Sequence, residues 1–253
     1  YFCNVSNSAA KSLRQTGKAA SAFQRATEFV YDTSFAEAVH RRDCKEDIGD
    51  VKFSPNGKML AVASHDGFID IYSIRYKQGN LQAAHGDICV KYLKRLRGHS
   101  SAVLHIDWSE DNRLLQSTCG ANEILYWDVA EGKQLLSSND CIEGDTNWES
   151  ESCHLGFAVM GIWGGGNQKG TDINSVDVSR GLGVQRTRAE KAGPGPVVAT
   201  GDDHGRLHIF NYPCVVKNAP HLTRVGHSSH IMDTKWLESG GEGLLGTVGG
   251  NDM

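Results

Sequence analysis

The sequence lacks a long apolar stretch, a paired-cysteine motif and a strong net charge, and each absence excludes a class of protein. No apolar run approaches the roughly 18 residues of a membrane-spanning helix, so no membrane contact is predicted. The seven cysteines are scattered and never spaced as Cys-x-x-Cys, which excludes an evident disulfide framework or zinc site and favours reduced thiols in the cytoplasm. A formal charge of −4 provides no field that would attract nucleic acid.

Glycine, in contrast, is abundant, and one short pattern occurs twice. The 29 glycines in 253 residues exceed the usual share of about 7% and favour the many tight turns of an all-β protein. GHSSAVLHIDW begins at Gly98 and GHSSHIMDTKW begins at Gly226, each with a tryptophan nine residues after the histidine. A pattern that returns in this way indicates an internal repeat.

The repeat extends well beyond these two stretches. Residues Val51–Tyr72 align with Ile106–Trp127 without a gap, at an offset of 55. Each unit alternates apolar and polar residues in three short runs that are separated by turn-forming sequences such as SPNG and SEDN. A third unit holds Ile173–Ser179 and Pro196–Phe210, with a charged, Gly- and Pro-rich loop between them. The pattern predicts three strands per unit, with room for a fourth in each connection.

We therefore predict an all-β β-propeller of four-stranded blades, with about four blades present and the last one truncated. The partial propeller would occupy residues 39–253, with blades near 47–97, 98–140, 141–225 and 226–253. The incomplete ring predicts that further blades come from a longer chain or from a partner.

The sequence resembles the tryptophan–aspartate (WD) repeat family, most clearly from Gly98-His99 to Trp127-Asp128. In that family a histidine, a serine or threonine, a turn aspartate and a tryptophan form a buried hydrogen-bonded network. The matching positions are incomplete in every blade, since Ala121 stands at the turn position of the second blade and Asp203 lies one place early in the third. The positions carried over are Asp66, Tyr72, His99, Trp127, Asp128, Asp203, Phe210, His227 and Asp252.

Several longer motifs are similar to a particular family. The stretches FSPNGKMLAVASHDGFIDIY, GTDINSVD and TGDDHGRLHIFNYPC resemble the second propeller of the echinoderm microtubule-associated protein-like family, from about Asp47 onward. The resemblance implies a non-enzymatic protein of the cytoplasm and the microtubule cytoskeleton, whose partners are tubulin, microtubules or other cytoskeletal proteins. The alternative is a general WD-repeat scaffold for protein–protein interaction that is not dedicated to tubulin.

Residues 1–38 carry no such motif. Before Glu28 they hold basic but no acidic residues, among alanine, serine and glutamine. A basic arm for the acidic surface of tubulin, a transit peptide and a disordered segment are the alternatives.

Three stretches invite an enzymatic or metal-binding interpretation. GGGNQKGT lacks the Gly-Lys-Ser/Thr order of a phosphate loop, because Lys169 precedes Gly170. The paired carboxylates of GDD fall at a turn where the repeat expects an aspartate, which favours a structural role. His227 also has a structural position in the repeat, so a metal site formed by His227 and His230 is disfavoured. We predict no catalytic residue, no cofactor and no metal.

The connection between the second and third blades holds three large aromatic residues. HLGFAVMGIW alternates small and apolar residues and predicts a buried outer strand, with Phe157 and Trp163 in the core. Trp148, among acidic residues, is the candidate for an exposed partner-binding anchor.

Overall fold

The computed structural model describes residues 27–31, 38–43, 46–76, 88–136, 146–164, 173–179, 196–239 and 242–251. The chain divides into two compact units, Tyr1–Ser137 and Ser138–Met253. No helix in the described ranges is long and apolar enough to cross a membrane.

The first unit consists of a hairpin and two four-stranded antiparallel sheets. The hairpin pairs β1 with β2, and each sheet joins strands that are consecutive in the chain, in the orders β3-β4-β5-β6 and β7-β8-β9-β10. The strands are β1 (Thr27–Tyr31), β2 (Ala38–Asp43), β3 (Ile48–Phe53), β4 (Met59–Ser64), β5 (Phe68–Tyr76), β6 (Ile88–Arg97), β7 (Val103–Trp108), β8 (Leu114–Cys119), β9 (Ile124–Asp128) and β10 (Lys133–Gln134).

The second unit consists of a 3₁₀ helix, a four-stranded sheet in the order β11-β12-β13-β14, and the pair β15-β16. Its elements are the 3₁₀ helix (Phe157–Ile162), β11 (Ile173–Ser179), β12 (Val197–Asp202), β13 (Arg206–Asn211), β14 (His221–Val225), β15 (Ile231–Ser239) and β16 (Glu242–Gly249). Meanders of four antiparallel strands are the blades of propellers, and the all-β prediction is confirmed.

The turns after the first strands explain why the repeat keeps a serine there. Ser54 Oγ accepts a hydrogen bond from Met59 N at 3.0 Å, and Ser109 Oγ accepts one from Leu114 N at 2.8 Å. The same two hydroxyls donate to Asn56 Oδ1 at 2.9 Å and Asp111 Oδ1 at 2.6 Å. The two hairpins, 55 residues apart, are therefore closed by the same side-chain bonds.

Neighbouring sheets within each unit are held together through their first strands. Trp108 is fully buried and its Nε1 donates to Lys52 O on β3 at 3.1 Å. In the second unit Trp236 N donates to Asp177 Oδ2 on β11 at 2.7 Å, and Asp177 is 3% exposed. Side chains of one sheet thereby satisfy polar groups at the face of the next.

One register position in these first strands carries opposite charges in neighbouring sheets. Lys52 Nζ on β3 lies 4.0 Å from Asp107 Oδ1 on β7, and Lys235 Nζ on β15 donates to Asp177 Oδ1 on β11. The four residues occupy equivalent positions of their repeats, because each directly precedes a large apolar residue of its strand. Each pair therefore joins equivalent positions of two successive repeats.

The prediction of an outer strand in HLGFAVMGIW is wrong, because residues 157–162 form a 3₁₀ helix. In a 3₁₀ helix, side chains three residues apart lie above one another. Val159 and Ile162 are accordingly both fully buried, whereas Phe157 is 41% exposed and Met160 49%. The core assignment of Phe157 is therefore also wrong, while Trp163 packs against the core of this unit.

Several predictions fall on residues that the structure does not describe. These are residues 1–26 and 32–37 of the basic segment, Lys169 in the glycine-rich loop, the insertion at 180–195, and Asp252. Strand β1 lies inside the segment 1–38 and pairs with β2, from Thr27↔Asp43 to Tyr31↔Ala38. The division at residue 38 and the blade boundaries stay predictions.

Candidate functional site

The second blade contains a buried network centred on Ser117. Its Oγ accepts a hydrogen bond from Trp127 Nε1 at 2.8 Å and lies 2.7 Å from His99 Nε2. Gly98 is required beside this network, since a Cβ there would lie 2.9 Å from Trp127 Cη2. The Gly-His pair therefore makes room for the tryptophan and supplies the histidine that shares its serine.

A carboxylate lies near this network, although it comes from another position and makes no hydrogen bond to His99 Nδ1. Ala121 does occupy the predicted turn position, but Glu123, two residues later, brings Oε2 to 3.6 Å from His99 Nδ1. Glu123 also accepts hydrogen bonds from Ser100 N at 3.0 Å and Ser100 Oγ at 2.8 Å. These bonds lower the pKa of the Glu123 carboxyl to about 2, whereas burial lowers the pKa of His99.

The third blade has its own network, and its aspartate is not the one that the repeat pattern predicts. Asp202, not Asp203, is fully buried, and its Oδ1 accepts from His204 N at 2.9 Å and Arg206 N at 2.8 Å. Its Oδ2 lies 3.2 Å from Nε2 of the fully buried His208. Asp203 is exposed, where its Oδ1 accepts from Asn174 Nδ2 at 2.9 Å.

His208 extends this network to Thr223, whose Oγ1 lies 3.0 Å from His208 Nδ1. An Nε2–H that donates to Asp202 leaves Nδ1 to accept the Thr223 hydroxyl proton, which satisfies all three groups. Aspartate, histidine and a hydroxyl are also the residue types of a hydrolytic triad. Here the acid and the base are fully buried, so a substrate cannot reach them, and the arrangement acts as a structural network.

Acidification is expected to destabilise the protein through His208. Burial lowers the pKa of His208 from its ordinary value of 6.5. The unfolded state therefore binds the proton more readily, so stability is lost as the pH falls below about 6.5, by up to about 1.4 kcal/mol per pH unit. Urea unfolding at pH 7.5 and pH 5.5 measures the loss. His208→Gln, which does not titrate, should show a smaller difference between the two pH values; an equal difference would contradict the assignment.

The other repeat positions are structural as well. Tyr72 is fully buried with its ring 5.7 Å from that of Tyr92, and Phe210 is 3% exposed. His227 Nε2 lies 2.8 Å from Thr247 Oγ1, which repeats the histidine–hydroxyl contact of the second blade.

The two remaining aspartates close local turns. Asp66 Oδ1 accepts from Phe68 N at 3.3 Å, and Asp128 Oδ1 accepts from Glu131 N at 2.8 Å. Both carboxylates therefore bond to the local backbone of the repeat.

The expectation that Trp148 is an exposed anchor is wrong, because only 4% of it is accessible. The residues around it alternate, with Asn147 and Glu149 exposed and Trp148 and Ser150 buried. Glu149 therefore points away from the tryptophan, whereas Glu151 is only 2% exposed and accepts a hydrogen bond from Tyr212 Oη at 2.7 Å.

A different surface of the second unit is both apolar and exposed. The 3₁₀ helix and the segment after Pro213 present four such side chains, which we call the apolar patch. Its members and their exposed fractions are Phe157 41%, Met160 49%, Val215 38% and Val216 69%.

Backbone contacts hold the two segments of the apolar patch together. Gly161 N donates to Cys214 O at 2.7 Å, and Cys214 N donates to Ala158 O at 2.8 Å. A Cβ at Gly161 would lie 2.6 Å from Val216 O, so only glycine permits this approach. The patch is thus built on a fixed backbone, which reduces the entropy lost when a partner binds.

The chain is similar to proteins of one family over almost its whole length. The model of the echinoderm microtubule-associated protein second beta-propeller matches residues 7–253, and so begins well before the motifs near Asp47. Echinoderm microtubule-associated protein-like 3 of Mus musculus is 38% identical over 224 residues, which cover 88% of this chain and 22% of that protein. The 77 kDa echinoderm microtubule-associated protein of Lytechinus variegatus is 38% identical over 213 residues, which cover 83% of this chain and 28% of that protein. The chain thus spans less than a third of these relatives.

Proposed function

The chain belongs to the echinoderm microtubule-associated protein family, and on that premise we propose that it is a non-enzymatic propeller module that binds tubulin or microtubules. The names of its relatives support association with microtubules. The cytoplasm, at the microtubule cytoskeleton, is the corresponding location. Binding to the polymer and a role in its organisation belong to the proposal.

The observation that supports a binding role is the apolar patch. An exposed aromatic residue beside methionine and valine on a fixed backbone has the character of a protein-binding centre. The histidine networks, in contrast, lie inside the blades. We therefore assign the tubulin contact to the apolar patch and the stability of the blades to the networks.

A second exposed apolar surface supports the proposal that further strands complete the propeller. The β15–β16 pair exposes Met232 by 54%, Leu237 by 57%, Leu244 by 66% and Val248 by 60%. Such a face is normally covered in a folded protein. A longer chain or a partner would supply the cover.

Replacement of both Phe157 and Met160 by serine is expected to weaken microtubule binding at least tenfold. The loss of two central apolar contacts is worth about 1.4 kcal/mol or more, which corresponds to that factor. Co-sedimentation with taxol-stabilised microtubules measures the change. Because the contact is apolar, binding of the unaltered chain should persist when the salt concentration is raised.

Leu136→Ser is the matched control, since Leu136 is 87% exposed and lies in the other unit. Circular dichroism verifies that each variant is folded. Equal pelleting of the control and the double variant would overturn the role of the patch. A chain that is folded and soluble but does not pellet at either salt concentration would favour the general scaffold. Binding that disappears with residues 1–26 would place the attachment in the basic arm.

A further inference from the structure

Three side chains of different chemistry meet at the turn between β8 and β9. They are His99, Cys119 and Glu123, and their ligand atoms all lie within 4.8 Å of one another. We propose that this cluster is a binding site for a divalent transition-metal ion, with Zn²⁺ as the fitting occupant. Imidazole, thiolate and carboxylate are the three ligand types that proteins use for zinc.

The contact of His99 Nε2 with Ser117 orients the imidazole ring for metal binding through its other nitrogen, Nδ1. Nε2 lies 2.7 Å from Ser117 Oγ, whereas Nδ1 is buried, has no hydrogen-bond partner and faces Glu123. An Nε2–H that donates to Ser117 leaves the Nδ1 lone pair directed at the cluster, which is the usual outer support of a ligating histidine. The distance of 3.6 Å from Nδ1 to Glu123 Oε2 is too long for the competing hydrogen bond.

Two of the three distances between the ligand atoms are close to those expected around a tetrahedral zinc ion. Zinc bonds of about 2.0–2.3 Å place neighbouring ligand atoms roughly 3.3–3.8 Å apart. Glu123 Oε2 lies 3.6 Å from His99 Nδ1 and 3.2 Å from Cys119 Sγ. A small closing movement between the histidine and the cysteine completes the set.

Access and charge are also suitable. Cys119 is 1% exposed, but the Glu123 side chain is 38% exposed, which leaves a path for the ion and a place for water as fourth ligand. Metal binding displaces the thiol proton to solvent, so that a thiolate and a carboxylate balance the charge of the divalent ion. Ser100 Oγ donates to Glu123 Oε1, and Ser100 N donates at 3.0 Å to Oε2, so the oxygen that faces the histidine and the cysteine is held in place and keeps a second lone pair for an ion.

Titration of the whole chain with Co²⁺ tests the site, because a bound thiolate gives a near-ultraviolet charge-transfer band and a tetrahedral ion gives visible d–d bands. We expect both bands with one equivalent of Co²⁺, and their loss when Zn²⁺ is added. Cys119→Ser should abolish the charge-transfer band. Glu123→Gln, which keeps the shape of the side chain, should weaken Zn²⁺ binding in calorimetry at least about tenfold.

Cys89→Ser is the matched control, since Cys89 is exposed, lies in the same unit and is outside the cluster. It should leave the bands unchanged. Absence of the bands in the unaltered chain, their persistence in Cys119→Ser, or unchanged Zn²⁺ affinity in Glu123→Gln would each overturn the proposal. Microtubule binding is measured separately, so failure of one proposal does not affect the other.

Discussion

Replacement of Trp127 by alanine is expected to destabilise the first unit by about 3–5 kcal/mol, the usual effect of removing a large aromatic side chain from a core. Trp127 is 1% exposed and belongs to the core cluster between the two sheets of that unit. Alanine leaves a cavity and also removes the hydrogen bond from Nε1 to Ser117 Oγ. Urea unfolding followed by circular dichroism measures the change.

Trp127→Phe separates the two contributions. Phenylalanine fills much of the volume but has no N–H, so the expected loss is only about 1–2 kcal/mol, mainly from the lost hydrogen bond to Ser117 Oγ, which keeps its contact with His99 Nε2. A phenylalanine variant as unstable as the alanine variant would show that the hydrogen bond dominates. An alanine variant that loses less than about 1 kcal/mol would contradict the core assignment.

Two adjacent aspartates are expected to differ sharply when each is replaced by alanine. Asp202→Ala should destabilise the second unit by about 2–4 kcal/mol, because buried donors lose their acceptor. The most costly is Nε2 of the fully buried His208, and the backbone N–H groups of His204 and Arg206 lose their bonds as well. Asp203→Ala should change stability by less than about 0.5 kcal/mol, since Asp203 is exposed.

The pair of variants is its own control, because both remove one carboxylate from the same turn. Urea midpoints measured at pH 7.5 provide the comparison. Equal losses in the two variants would show that the turn, rather than the buried network, needs the charge. Asp202→Asn should fall between wild type and Asp202→Ala, since its amide oxygen still accepts from the backbone.

The strands were predictable because alternation and turn chemistry are local properties of the sequence. Ser54 and Ser109 show why: each closes a turn with residues that lie within five positions of it. The all-β architecture follows from such signals repeated along the chain.

The side-chain networks were less predictable because they depend on how far each side chain extends and on which side chains meet in the folded protein. Glu123 is two positions past the expected aspartate, yet its longer side chain brings the carboxylate to His99. Asp202 is the last residue of β12 and is buried, whereas Asp203 begins the turn that follows and is exposed. His208 was missed although it lies on β13, where alternation with Phe210 places both rings inside.

The 3₁₀ helix and Trp148 show the opposite limitation. Small and apolar residues in HLGFAVMGIW fit both a strand and a tight helix, and only the spacing of three between Val159 and Ile162 distinguishes them. For Trp148 the useful signal was alternation with exposed Asn147 and Glu149, rather than the acidic character of the segment.

The charge pairs at one register position mean that the repeats of this chain are not interchangeable parts. A protein engineer who replaced the second repeat with a copy of the first would set lysine against Lys52 in place of Asp107. Exchange of the β11 and β15 strands, in contrast, would keep Asp177 and Lys235 facing each other with their order reversed. The charge of one side chain thus determines which repeat can pack beside which. This restricts how such a gene can be shuffled or duplicated while its blades still pack in order.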